Sequence, residues 1–191
     1  MRNRRDQILA AALDAFAGRG YGATSMSDLQ RATGASTGSL YHHFPTKAHV
    51  AAELLCDALG RYQRGFLGAL RGASGAEAGV RAAVRHHLSW VAEDPARARL
   101  LVGEPEPEVL AAAGERLRAA NRVFLSAVGD WYGAAVAARE LRALDPDAAV
   151  ALWIGPAQEL TRAHLAGRAR RPPVELAEVL ADGAWRALRA G

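Results

Sequence analysis

Nowhere along the 191 residues do apolar and polar side chains alternate long enough to build a half-buried strand. β-Branched residues are sparse and alanine is very frequent, so the local preference is helical almost throughout. The expected fold class is all-α. Half of the residues are hydrophobic, enough to bury a substantial core. The longest uncharged run, Ala148 to Gln158, is well short of the roughly 20 residues a membrane helix needs, so a soluble chain without a membrane partner is expected. Arg2, Arg4 and Arg5 precede an apolar stretch that Asp14 interrupts and that lacks a cleavage-site pattern, so no signal peptide is expected. Cys56 is the only cysteine. That excludes a disulfide framework, fits a reducing cytoplasm, and in a helical apolar pattern reads as a structural thiol.

The excess of positive charge lies at the front. Residues 1–49 carry a net +3 and three of the six histidines, whereas residues 50–191 carry +1. A polyanionic partner for the N-terminal segment is the natural reading. There, Ile8, Leu9, Ala12, Leu13 and Phe16 recur at helical spacing before Gly18, Gly20 and Gly22. Ser25 can cap a second helix, with Asp28 completing a capping box and Gly34 ending the helix after about two turns. Ser36 caps a third, Thr37-Gly38-Ser39-Leu40-Tyr41-His42-His43-Phe44, in which Leu40 and Phe44 share one side with His43, while Gly38, Tyr41 and His42 fall on the other. Pro45 ends it.

Two short helices joined by a glycine-containing turn make a helix-turn-helix, whose second helix enters the major groove. A reading helix can be this short and this polar because only one or two turns meet the base edges. Lys47 adds an independent argument: a cation in the first turn of a helix opposes the macrodipole, and a phosphate would relieve the conflict. It is the only lysine among 24 basic side chains.

Residues 8–47 resemble the TetR repressor family of bacterial transcription regulators, through Ile8-Leu9-x-Ala11-Ala12-Leu13-x-x-Phe16, Gly20-Tyr21-x-x-Thr24-Ser25-Met26-x-x-Leu29 and Gly34-x-Ser36-x-Gly38-x-Leu40-Tyr41-x-His43-Phe44-x-x-Lys47. Ala35, His49 and Val50 depart from the family pattern at packing positions. The resemblance implies that Thr24, Ser25, Tyr41, His43 and Lys47 contact the DNA backbone, and that Ser27, Thr37, Gly38, Ser39 and His42 face base edges. Ser25 and Ser36 have a second reading as helix caps, and His43 as a core side chain.

A long helix is expected from Thr46 to about Leu70, with further helices over 76–93, 95–103, 108–141, 146–167 and 173–189. The organisation expected is a DNA-binding domain over 1–48 and a helical effector-binding and dimerisation domain over 49–191, the second role being implied by the resemblance. Trp90, Phe124, Trp131 and Trp153 suit either an apolar ligand pocket or plain core, with Gln158 and Arg162 as polar partners. Glu159 and Arg162 can instead pair with each other. Apolar stripes rich in small residues on the last two helices, Ala149, Leu152, Leu160 and Ala163, then Ala177, Leu180, Ala181, Ala184 and Leu188, suit either a two-fold interface or an intrachain core. His86 and His87 diverge around a helix, so no metal is expected, nor any cofactor. No nucleophile motif or phosphate-cradling loop supports an enzyme. The expected function is a homodimeric repressor on a palindromic operator, released by a small apolar effector. The alternatives are a DNA-binding regulator without an effector and, last, an all-helical enzyme.

Overall fold

Helices begin and end at their caps in the computed structural model, which describes residues 3–191. Met1 and Arg2, the latter part of the N-terminal basic cluster, lie outside the described residues. α1 (Arg4–Arg19) starts behind Asn3, whose side chain accepts from Arg5 N–H. α2 (Met26–Thr33) starts with the full Ser25–Asp28 capping box and stops at Gly34, in the left-handed conformation at φ 61°. α3 (Thr37–His43) starts at Ser36, whose hydroxyl accepts from Ser39 N–H, and stops at Phe44. α4 (Lys47–Arg71), α5 (Ala76–Glu93) and α6 (Pro95–Val102) follow.

The helix expected over 108–141 is α7 (Pro107–Ala137), and it is broken inside: Gly114 has φ 47° and ψ −128°, a conformation open to glycine and strained for other residues. The helix expected over 146–167 is two, α8 (Pro146–Trp153) and α9 (Gly155–Leu165), because Pro156 cannot donate to the carbonyl four residues back. A 3-10 turn (Pro173–Leu176) leads into α10 (Ala177–Leu188). Among the described residues there is no strand beyond the isolated bridge Leu141–Arg189.

Packing divides the chain into two compact units. One comprises the residues up to Leu59 together with Ala96–Ala119; the other comprises Gly60–Pro95 and Ala120–Gly191. In the first, Ile8, Ala12, Phe16, Leu29, Leu40, Phe44, Val50 and Leu54 form one buried cluster, joined by Val109 and Ala113 from α7. Burying each of the larger side chains contributes about 1.5–3 kcal/mol, which explains how two short polar helices stay on their support. Glu53 ties three elements of this unit, bonding Arg5 at 2.7 Å and Arg116 at 2.8 Å. Burial works against its ionisation, but the two guanidinium bonds prevail and hold its carboxyl below the ordinary range.

In the second unit, α5 packs against α10, the 3-10 turn and α9. Its core includes Phe66, Val80, Val84, Leu88, Trp153 and Ile154. Ala149, Ala181, Ala184 and Leu188 are buried within this unit, so those side chains serve the intrachain core, whereas Leu152 is 40 % exposed. Cys56, in the first unit, is half-buried, and burial raises its thiol pKa. Among the described residues no helix is long and apolar enough to cross a membrane.

Candidate nucleic-acid interface and the second-unit core

α3 owes its orientation to two side chains. Leu40 and Phe44 are 1 % and 3 % exposed, which turns Thr37, Gly38, Tyr41 and His42 outward. Ser39 is half-buried. Nothing lies within 4 Å of the place a side chain on Gly38 would occupy, so intrachain packing does not require glycine there. Thr37 Oγ1 accepts from Gln30 Nε2 at 3.0 Å, a bond that pins the start of α3 to α2. Ser27 is exposed in the first turn of α2.

The remaining family-implied positions are more engaged. Thr24 is 1 % exposed and its hydroxyl donates to the Gly20 carbonyl at 2.9 Å, which fixes the turn before α2. Ser25 is occupied by the capping box: its N–H and hydroxyl both donate to Asp28 Oδ2, at 2.8 and 2.7 Å. Those bonds from Ser25, aided by the Arg31 and Arg19 charges, hold the Asp28 carboxyl below the ordinary range. His43 is half-buried between the rings of His42 and Phe44, at 5.4 and 6.4 Å. Lys47 opens α4. Its Nζ donates to the Tyr21 carbonyl at 2.9 Å and sits 4.0 Å above the Tyr21 ring. The lysine at the helix start therefore has an intrachain partner, which sequence reasoning missed. Tyr21 in turn donates its hydroxyl to Glu108 of α7. The pair is 87 residues apart, and no local pattern announces it.

In the second unit the four expected aromatics belong to one ring-against-ring cluster. Trp131 stacks on Trp153 at 5.3 Å; Phe66 meets Trp153 at 5.7 Å and Phe124 at 5.4 Å; Trp90 meets Tyr62 at 5.3 Å. Trp153 donates its indole N–H to the Val80 carbonyl at 3.1 Å. On α9, Gln158 is half-buried, and exposed Arg162 bonds Glu159 at 3.3 Å. A buried polar chain runs beside the rings: Tyr62 Oη is 3.0 Å from His87 Nδ1, and His87 Nε2 is 3.1 Å from Thr161 Oγ1. Burial foremost, then the charges of His86 and Arg162, lowers the His87 pKa to about 4. A neutral imidazole has one donor and one acceptor nitrogen, so both hydroxyls can be satisfied. Sequence reasoning weighed His87 only as a metal ligand. Among the described residues no three His, Cys, Asp or Glu side chains gather as a metal site.

Residues 8–54, the segment that holds α1 to α3 and the start of α4, match the family model of bacterial regulatory proteins, tetR family. This N-terminal segment is of the TetR family. Its TetR-family relatives include the transcriptional repressor KstR2 of Mycolicibacterium smegmatis, 44 % identical over 66 residues that make up 32 % of each chain. The transcriptional activator FasR of the same organism is 32 % identical over 111 residues, 56 % of this chain and 51 % of FasR. The chain thus aligns with about a third to a half of the curated relatives it matches. Likeness of fold extends further. A TetR-family regulatory protein from Rhodococcus RHA1 superposes with a TM-score of 0.79 over the whole of both chains at 20 % identity. FadR from Bacillus subtilis, solved in complex with stearoyl-CoA, gives 0.79 over 95 % of this chain and 98 % of its own at 18 % identity.

Proposed function

We propose that this chain is a cytoplasmic, homodimeric transcriptional repressor of the TetR family that binds a palindromic operator and releases it when a small apolar effector binds. Residues 1–48 read the DNA; residues 49–191 sense and dimerise. The observation that carries this reading is α3: a helix capped at Ser36, anchored by Leu40 and Phe44, and presenting Thr37, Gly38, Tyr41 and His42 to the outside. Ser27, Thr37, Gly38, Ser39 and His42 suit base edges. Tyr41, His43 and Lys47 suit the phosphates, while Thr24 and Ser25, whose N–H and hydroxyl groups already bond within the chain, hold the turn before α2 in place.

Dimerisation is supported by exposed apolar side chains on the last helices: Val150 and Leu152 on α8, Val174 in the 3-10 turn, and Val179 on α10, the last 69 % exposed. Sensing is supported by the rings of Trp90, Phe124, Trp131 and Trp153 beside the Tyr62–His87–Thr161 chain, an apolar lining with a few fixed polar groups. The same fold holds stearoyl-CoA in FadR. One observation favours a regulator without an effector: the rings already pack on one another, as a plain core would.

Selection of bound genomic fragments tests the first part, and the fragments share an inverted repeat. Protection of a single asymmetric half-site would overturn it. Titration of candidate effectors by tryptophan fluorescence, with and without operator, tests the second. Linkage is reciprocal, so operator DNA weakens effector binding by the factor with which effector weakens operator binding. Equal effector affinity in both conditions leaves the effector-free reading standing.

A further inference from the structure

We propose that Tyr21 positions Lys47 for a DNA phosphate and that Glu108 holds Tyr21 in place, so that the first turn of α7 sets how the phosphate-binding charge is presented. The proposal rests on the reading of Lys47 as a backbone contact. Lys47 is the first residue of α4, where the helix dipole opposes a cation. Its ammonium is nevertheless fixed by the Tyr21 carbonyl at 2.9 Å and the Tyr21 ring at 4.0 Å. An ammonium has three protons. The carbonyl takes one and two remain for an incoming phosphate, so the tether orders the charge without consuming it.

Tyr21 is itself held from two sides. Its ring meets Phe16 of α1 at 5.5 Å, and its hydroxyl donates to Glu108. Burial first, and the Glu108 bond second, push the phenol pKa well above its ordinary value, so the hydroxyl remains a donor at every physiological pH. Glu108 belongs to the segment of α7 that packs in the same unit as the helix-turn-helix. That segment has a second attachment, Arg116 to Glu53 at 2.8 Å, and Gly114 with its glycine-only backbone lies between the two. A change of angle at Gly114 therefore moves Glu108 relative to Tyr21 while Arg116 stays attached. The same helix runs on to Ala137 and carries Phe124 and Trp131, two of the rings proposed to meet the effector.

The test uses the full chain as the dimer, with lysine labelled in 13C and 15N. Because Lys47 is the only lysine, its side chain gives a single set of resonances. In the wild type the ring current of Tyr21 shifts the ε-methylene upfield of free lysine. Glu108→Ala, a change at an exposed site, moves that resonance toward the free position, and so does Tyr21→Phe, which removes only the hydroxyl. Binding to a mixed-sequence DNA duplex, followed by anisotropy at rising salt, weakens about three- to tenfold in Tyr21→Phe, and the loss vanishes in a Lys47→Ala background, as expected of coupled neighbours. A wild-type resonance at the free-lysine position overturns the proposal, and so does a Tyr21→Phe loss that persists without Lys47. If Lys47→Ala changes neither affinity nor salt slope, the phosphate reading fails and takes this one with it, and the upfield resonance then identifies the tether as purely structural.

Discussion

His87 is neutral at a pH where an exposed histidine has begun to charge. With 6 % exposure and a pKa near 4 against an ordinary 6.5, it binds its proton later than the unfolded chain does. Its contribution to stability is complete above pH 6.5 and is lost as the pH falls from there toward 4, by about 3 kcal/mol in all. Urea midpoints taken from pH 7 down to 4.5 fall accordingly, and His87→Gln flattens the decline. Gly79 constrains the same core by absence. A side-chain carbon there would meet Trp131 Cζ2 at 2.3 Å. Trp131 is stacked on Trp153 and has little room to yield. Gly79→Ala therefore destabilises the fold by about 1–2 kcal/mol, since the strain of overpacking exceeds alanine's helical advantage; thermal unfolding and tryptophan emission both report it. Neither site is legible in the sequence, because each depends on a partner tens of residues away. The aromatics were legible as large apolar side chains on several helices. Their joining through Phe66 and Tyr62 was not.

At the level of the element, caps and breakers carry most of the information. The Ser25–Asp28 box, the left-handed Gly34 and the Ser36 cap all follow from local chemistry, and the structure has them where the sequence puts them. Ser25→Ala removes the acceptor for Asp28 N–H and costs about 1 kcal/mol of stability, measurable as a lower denaturation midpoint. α7 is the counterexample. Its apolar periodicity continues through Gly114, and a lone glycine inside a helical pattern is ordinarily tolerated, so nothing local separated a kinked helix from a straight one. Gly114→Ala favours the straight form and draws Glu108 from Tyr21. The Lys47 ε-methylene resonance then shifts as it does in Glu108→Ala, and an unchanged resonance would mean that the kink is held by packing alone.

Across the whole molecule, the division of labour in the reading head predicts two kinds of loss. Lys47→Ala weakens binding to every sequence by a similar factor and lowers the salt slope by about one, whereas His42→Ala alters which base pairs are preferred. Affinities against an operator library separate them, and a change of base preference in Lys47→Ala would contradict the assignment. All-helical architecture and the helix-turn-helix were readable because both are written in spacing over a few turns. How the packing groups α6 and the start of α7 with the N-terminal helices was not, since long-range packing leaves no periodic mark. The contact between Gly79 and Trp131 has a counterpart in Gly65, where a side-chain carbon would lie 2.2 Å from the His86 ring. Each couples a side chain that must be absent to a ring that fills its place, so a sequence that keeps the ring is expected to keep the glycine. A lineage that replaces Trp131 with a smaller side chain is released from glycine at 79, and one that keeps the indole is not.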